Sequence, residues 1–334
     1  MRLENVLALT HGSLMSQPQI SEFSDVVVDV GKVRHGSLFL AMNPHDISQA
    51  QAKGAYGIVY DREMPIDDIE IAWIHVSDIF DALKRIIRFM LIDKELQAVV
   101  GEAISVHIAK HIATASQQLL VLEGKLHENI SKLLQAPQQA LVLFERGSID
   151  EDLFTNVIFL DDAASLEKVS IYEQTLFECA FVYEHTYYER QYLSPLFLPY
   201  LIALLQLLKE RDIAFRLRSF AAFEHFQPIF VGTSLHIREF GSSERVVIFE
   251  PDITLVASEI DFINTQAPWA QKLFCVPQNT HIDLPFSNTL LRYETTQDII
   301  NALKNHSFHF AFVAGCSADI LQNVASYPVQ QSLF

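Results

Sequence analysis

The chain has 334 residues, half of them apolar and 19% charged, with mean hydropathy +0.18. That is enough chain for two or three domains, and too apolar for a disordered one. The net charge of −17, from 41 acidic against 24 basic residues, repels nucleic-acid phosphates and anionic membranes, so neither is an expected partner.

There are 11 glycines, about 3% where about 7% is usual, a poor supply for cradling phosphates on glycine loops. The three cysteines, Cys179, Cys275 and Cys316, form no C-x-x-C pair. A disulfide framework or zinc site is therefore not expected, and a reducing cytoplasm is. Glu4 and the short apolar run at 6–9 do not compose a secretion signal. The longest apolar stretch, 196–208, is broken by Pro199 and Gln206 and falls short of the roughly 20 residues of a span, so it reads as a buried helix.

In chain order, residues 26–30 and 37–42 read as strands and 48–53 as a short helix stopped by Gly54. Strands follow at 57–60 and 72–76. Asp78 caps a helix whose apolar positions Ile79, Leu83, Ile86, Ile87 and Met90 recur at helical spacing. A charged break at Asp93-Lys94-Glu95 follows. Residues 96–101 read as a strand ending on glycine, 105–122 as a helix, and 140–144 as a buried strand of the kind parallel sheets use. Residues 157–160 and 180–183 are further strands, and the Leu-rich helix at 196–210 closes the segment. The last third reads as strands at 246–249, 272–276, 290–293 and 309–314. Helices at 253–263, 296–303 and 318–324 lie between and after them. This alternation argues for an open parallel sheet.

The run Asp29-Val30-Gly31-Lys32-Val33-Arg34-His35-Gly36-Ser37-Leu38-Phe39-Leu40-Ala41-Met42 carries a turn glycine and an L-F strand in fixed register. His45-Asp46, Ala50, Ala52, Gly54-Ala55 and Ile58-Val59 continue it. This stretch resembles the N-terminal domain of the Mur ligases, the ATP-dependent enzymes that extend the UDP-MurNAc peptide of peptidoglycan. Their pattern is roughly D-S-R-x-V-x-x-G-x-L-F-x-A. The family's Ser and Arg, beside its uridine nucleotide, are Val30 and Gly31 here, so binding in that manner is not expected.

The resemblance implies an ATP loop, G-[TS]-[NS]-G-K-[ST]-[ST], at Gly101-Glu102-Ala103-Ile104-Ser105-Val106-His107. Such a loop works through converging backbone N–H groups, a lysine for charge and a hydroxyl on Mg²⁺. Here Ile104 stands for the second glycine, Ser105 for the lysine and Val106 for the hydroxyl, and Glu102 adds negative charge. Glu145, at the end of the 140–144 strand, is either the remnant of the family's magnesium-binding Glu or an exposed carboxylate. Leu193-Ser194-Pro195-Leu196-Phe197-Leu198-Pro199 occupies the place of the family's G-x-H-N-x-x-N. Phe312-Val313-Ala314-Gly315-Cys316-Ser317 is similar to its strand followed by K-G-S, whereas Phe249-Glu250-Pro251-Asp252 does not match its D-D-Y-x-x-N-P.

Other constellations are weaker. His107 and His111 stand i, i+4 on an expected helix, and His306 and His309 flank a strand start; each reads as ordinary surface histidine before metal ligand. Tyr183-Glu184-His185-Thr186-Tyr187-Tyr188-Glu189 suits a pocket rim, an interface or plain packing. Ser13, Ser194 and Ser317 lack a nucleophile elbow. Phe220, Phe223 and Phe226 sit in one short run that either joins the core or exposes an apolar patch.

The resemblance thus implies an α/β protein of Mur ligase-like architecture. It divides into a small N-terminal α/β domain over 1–95, a central parallel-sheet, P-loop-like domain with a degenerate loop over 96–240, and a Rossmann-like domain over 241–334. The expected function is non-catalytic binding of a protein or small ligand, linked to cell-wall precursors in a bacterial cytoplasm. No catalytic residue and no cofactor are expected. Gly101, Glu102, Ser105 and Val106 are a remnant nucleotide loop and Glu145 a remnant metal candidate. The alternative is a divergent ligase or other enzyme that retains UDP-sugar-peptide or nucleotide binding.

Overall fold

Short β-branched and aromatic runs punctuated by turn formers build two compact units, Met1–Asp161 with Leu208–Arg216, and Asp162–Leu207 with Leu217–Phe334. The computed structural model describes residues 1–66, 68–160, 166–280 and 289–321.

The first unit contains α1 (Leu3–Thr10), β1 (Ser13–Leu14), β2 (Val26–Val27), β3 (Leu38–Leu40), α2 (Ile47–Ala52), β4 (Gly57–Tyr60), β5 (Ala72–His75) and α3 (Ile79–Leu91). It continues with β6 (Gln97–Gly101), α4 (Ala103–Ala109), β7 (Ile112–Thr114), β8 (Leu119–Val121), α5 (Leu126–Gln135), β9 (Leu141–Glu145) and β10 (Asn156–Phe159). One sheet has the order β1-β5-β4-β3-β2 and a second the order β10-β6-β9-β8. The second is parallel throughout, and the first is parallel except for its β1 edge.

Asp78 caps α3 as its position implies, its side chain accepting from the N–H groups of Phe80 and Asp81. The apolar stripe Ile79, Leu83, Ile86 and Ile87 is buried in one cluster with Val100, Val142 and Phe144 of the second sheet. Each such side chain contributes about 1.5–3 kcal/mol on burial. Gly54 ends α2 with φ +84°, where a side chain is strained. At Gly57 a Cβ would lie 2.5 Å from the Phe23 ring, so only glycine admits that close approach.

Two expectations in this unit are corrected. Residues 26–30 do not form one strand: Asp29 Oδ1 accepts from Gly31 N at 2.7 Å and turns the chain into a 3₁₀ turn over Val30–Lys32. Nor is 105–122 one helix. It stops at Ala109, and Leu119–Val121 becomes β8 because pairing with Leu141, Val142 and Leu143 satisfies its backbone. An apolar run of that length fits either period, and the neighbouring strand decides it. Helix α5 had no counterpart in the sequence reading.

The second unit opens with an antiparallel sheet of β11 (Val169–Gln174), β12 (Cys179–Tyr183) and β13 (Thr186–Gln191). The Tyr-rich segment is its hairpin. Glu184 and His185 turn it with positive φ, Phe181 stacks on Tyr188, and Tyr183 is buried. Helix α6 (Leu198–Glu210) leads into the first unit's segment Leu208–Arg216, where β14 (Phe215–Leu217) begins and pairs with β7, and β15 (Gln227–Phe230) belongs to the second unit. The last elements are β16 (Val246–Glu250), α7 (Val256–Gln266), β17 (Lys272–Pro277), β18 (Thr289–Tyr293), α8 (Thr296–Asn305) and β19 (Phe310–Ala314). Their sheet runs β15-β16-β19-β17-β18, parallel except for β15. The helix expected at 318–324 lies beyond the described residues from 322 onward. Phe220, Phe223 and Phe226 are all buried, so that run is core and exposes no patch.

Candidate functional site

The carboxyl edge of the β10-β6-β9-β8 sheet is where the sequence places its loop and its carboxylate, and the register brings them together. Gly101 ends β6 opposite Glu145, which ends β9. One residue, Glu102, connects β6 to α4. Its carbonyl accepts from Ser105 N at 3.0 Å and Val106 N at 3.2 Å, which closes the first helical turn at once. Ile104, Ser105 and Val106 are buried, and Ser105 Oγ has no hydrogen-bond partner among the described residues. Glu102 and Glu145 are exposed. Among the described residues no cluster of three or more His, Cys, Asp or Glu has metal-binding geometry.

The turn at 29–33 is filled from within the protein. Lys53 Nζ donates to the carbonyls of Val30 and Gly31, at 2.9 and 3.1 Å. The same unit holds a polar cavity of about 790 Å³ beside His35, Gln51 and Tyr56, with Glu22, Asp68 and Glu70 on its walls. The His35 and Tyr56 rings meet edge to face at 4.7 Å. Such a lining can hydrogen-bond a polar ligand and favours a cationic over an anionic one.

A second group lies at the carboxyl edge of β16, in the other unit. Glu250 is fully buried and accepts from Phe226 N at 2.9 Å and Asp252 N at 2.7 Å, and His225 Nδ1 lies 2.8 Å from its Oε1. Glu259 of α7 is also fully buried, and its carboxyl meets that of Glu250, with no other hydrogen-bond partner among the described residues. Burial raises its carboxyl well above the ordinary range, and the charges of Glu250 and Asp252 push it the same way. Tyr293 donates to Ala314 O at 2.6 Å and lies 3.2 Å from Cys316 Sγ. Sequence reasoning missed His225 and Glu259. The signal for Glu259 was its spacing: it shares a helix face with Val256, Ile260 and Ile263, all buried.

His107 lies in α4 and His111 beyond its end, so they do not share a helix. His306 Nδ1 faces Ala302 O, and His309 Nδ1 accepts from Gln271 N. Ser194 caps the 3₁₀ turn before α6. The three cysteines are free.

Neither a protein-family model nor a curated protein matches the sequence. Solved structures do. A MurF structure from Acinetobacter baumannii aligns with TM-score 0.61 at 12% identity, over 97% of this chain and 98% of that one. A UDP-N-acetylmuramoylalanyl-D-glutamyl-2,6-diaminopimelate–D-alanyl-D-alanyl ligase from the same organism gives 0.52 at 13% identity, over 97% of each chain. MurF ligase from Thermotoga maritima, solved in complex with ADP, gives 0.51 at 12% identity, over 90% of this chain and 96% of that one. The chain has the Mur-ligase fold. The resemblance read from residues 29–59 therefore extends, as fold, along nearly the whole chain. Identity this low carries the fold and not the chemistry. Among the described residues no helix of this Mur ligase-like protein is long and apolar enough to cross a membrane.

Proposed function

We propose that this Mur ligase-like protein is non-catalytic and acts by binding a protein or a small ligand, in the setting of cell-wall precursor metabolism. One observation carries the reading: a single residue, Glu102, joins β6 to α4, and the residues in place of the loop's lysine and hydroxyl, Ser105 and Val106, are buried. A phosphate cradle needs several consecutive N–H groups exposed ahead of the helix. This connection offers one extended residue with a carboxylate. The net charge of −17 supports a partner other than nucleic acid or an anionic membrane, and a bacterial cytoplasm is the setting that the cell-wall link and the unpaired cysteines favour.

Thermal denaturation with and without Mg-ATP tests this. Ligand at about 100 times its dissociation constant adds about 2.7 kcal/mol. No shift with millimolar Mg-ATP is expected, and a clear shift overturns the reading. A divergent ligase is the second reading. The polar cavity beside His35 and Tyr56 gives it room for a polar ligand, although the Glu22, Asp68 and Glu70 walls oppose an anionic nucleotide there. Calorimetry with UDP-MurNAc peptides separates the two, since heat is expected only if substrate binding has been kept. The three-part division at 95 and 240 is likewise a proposal, and limited proteolysis near Asp93–Glu95 tests its first boundary.

A further inference from the structure

The second unit carries a cleft of about 520 Å³ lined by none of the residues discussed above as a remnant site. Its walls are aromatic. Phe177 meets Phe230 and Phe310, Phe230 meets Phe240, and Trp269 meets Phe310, each pair with ring centroids 4.9–6.2 Å apart. Trp269 is 70% exposed, while the chain's other tryptophan, Trp73, is 1% exposed. A large ring left open at the mouth of an aromatic cleft of this size is the usual anatomy of a ligand pocket.

The charges decide what fits. Arg190 is held by Glu178, with Nε 2.8 Å from Oε2, so that pair is neutral as a unit. Glu244 lines the cleft as an exposed carboxylate and forms no ion pair with any described residue. The lining therefore sums to one negative charge, within a chain of net −17. Ring faces are negative as well, so walls and rim agree in sign. The protein makes the same contact internally: the Arg190 guanidinium lies 5.2 Å from the Tyr192 ring centre and 5.8 Å from that of Phe240. Arg190 sits at φ +27° beside a register shift between β12 and β13, so the strand is bent where this side chain meets the cleft.

We propose that this cleft binds an organic cation on an apolar stem, an alkylammonium or guanidinium group seated among Trp269, Phe310 and Phe240 with Glu244 as counter-charge. The group belongs either to a free small molecule or to a basic side chain of a peptide. This assignment is independent of whether residues 101–107 bind nucleotide.

The test uses the full chain, with tryptophan fluorescence and calorimetry. Because Trp73 is buried, acrylamide-accessible emission reports Trp269. The probes are tetramethylammonium, N-acetyl-lysine amide, N-acetyl-arginine amide, a short lysine-containing peptide, the uncharged N-acetyl-norleucine amide and phenylacetate. Saturable binding of the cations is expected, with protection of Trp269 from acrylamide. Norleucine amide and phenylacetate are expected to bind at least about fivefold more weakly, the contribution of one cation–ring contact. Tetramethylammonium binding as well as the amino-acid amides points to a free cation; preference for the lysine peptide points to a protein partner. Trp269→Ala and Glu244→Gln, both at exposed positions, are each expected to weaken binding about fivefold by calorimetry. Equal binding of norleucine amide, stronger binding of phenylacetate, unchanged affinity in both variants, or no saturable binding of any cation overturns the assignment.

Discussion

Replacing Glu259 by Gln should stabilise the protein, and by more as pH rises. Three groups converge on Glu250, the N–H groups of Phe226 and Asp252 and the imidazole of His225. No other described group donates to Glu259 and it is closed to solvent, so its raised carboxyl keeps the proton beside Glu250. Its raised position comes first from burial and then from the charges of Glu250 and Asp252. The unfolded chain releases that proton above the ordinary value of 4.5. Across the window from there up to the buried group's own value, the native state binds more protons than the unfolded one. Stability therefore falls as pH rises, by about 1.4 kcal/mol per pH unit for one proton. Below the window both states hold the proton and the penalty is absent. Gln keeps the size, carries no charge and offers an N–H to Glu250. Urea unfolding from about pH 5 to about pH 8 should give a steeper decline for the wild type, with the variant ahead by about 1–3 kcal/mol near neutrality. Parallel stability curves would refute the reasoning, because they mean that Glu259 is ionised or hydrated in the folded protein.

Other expectations follow from single contacts. Asp78→Ala removes the cap of α3 and should cost about 1 kcal/mol in urea denaturation. Ser105→Ala removes a buried hydroxyl that bonds to no described group, and should raise stability by about 1 kcal/mol in the same assay. The triple change Ile104→Gly, Ser105→Lys, Val106→Thr rewrites the loop's residue types, yet it places an ammonium where Ser105 is fully buried. It should lower the melting temperature and restore no Mg-ATP-dependent thermal shift, because an unpaired buried charge costs several kcal/mol.

The fold was legible wherever one strand is central and one helix has a single apolar face. Strands β4, β5, β9, β16, β17 and β19 and helix α3 follow from their apolar runs, because each buries those residues in a sheet flanked on both sides or against one. What was missed lies at edges. Strands β8, β14 and β15 have backbone partners well removed in sequence, whereas β13 pairs with the adjacent β12 but is largely exposed and polar, so neither period nor hydropathy marks it. Helix α5 escaped for a related reason: its buried positions, Asn129, Ile130 and Leu133, are few, and one of them is polar. Asn129 is buried because its amide donates to the carbonyls of Glu123 and Lys125, a local contact that no residue pattern announces.

The candidate site divides along the same line. That the loop residues depart from a phosphate cradle is visible in the letters: Ile104, Ser105 and Val106 supply no glycine, lysine or magnesium hydroxyl. What the letters do not carry is how short the connection becomes. α4 buries Ile104, Ser105, Val106, Ile108 and Ala109, five of its seven residues. A helix enclosed on that many sides is anchored by packing, and its start is fixed where Gly101 leaves the sheet. Gly101 itself is confined, since a Cβ there would lie 3.3 Å from Ser105 and 3.6 Å from Leu143 and Leu160. Strand, glycine and helix thus keep their order because β6 needs a cover, whatever the connection does. The order of elements is therefore a weak guide to activity in this fold, and the exposure of residues 102–106 is the stronger one.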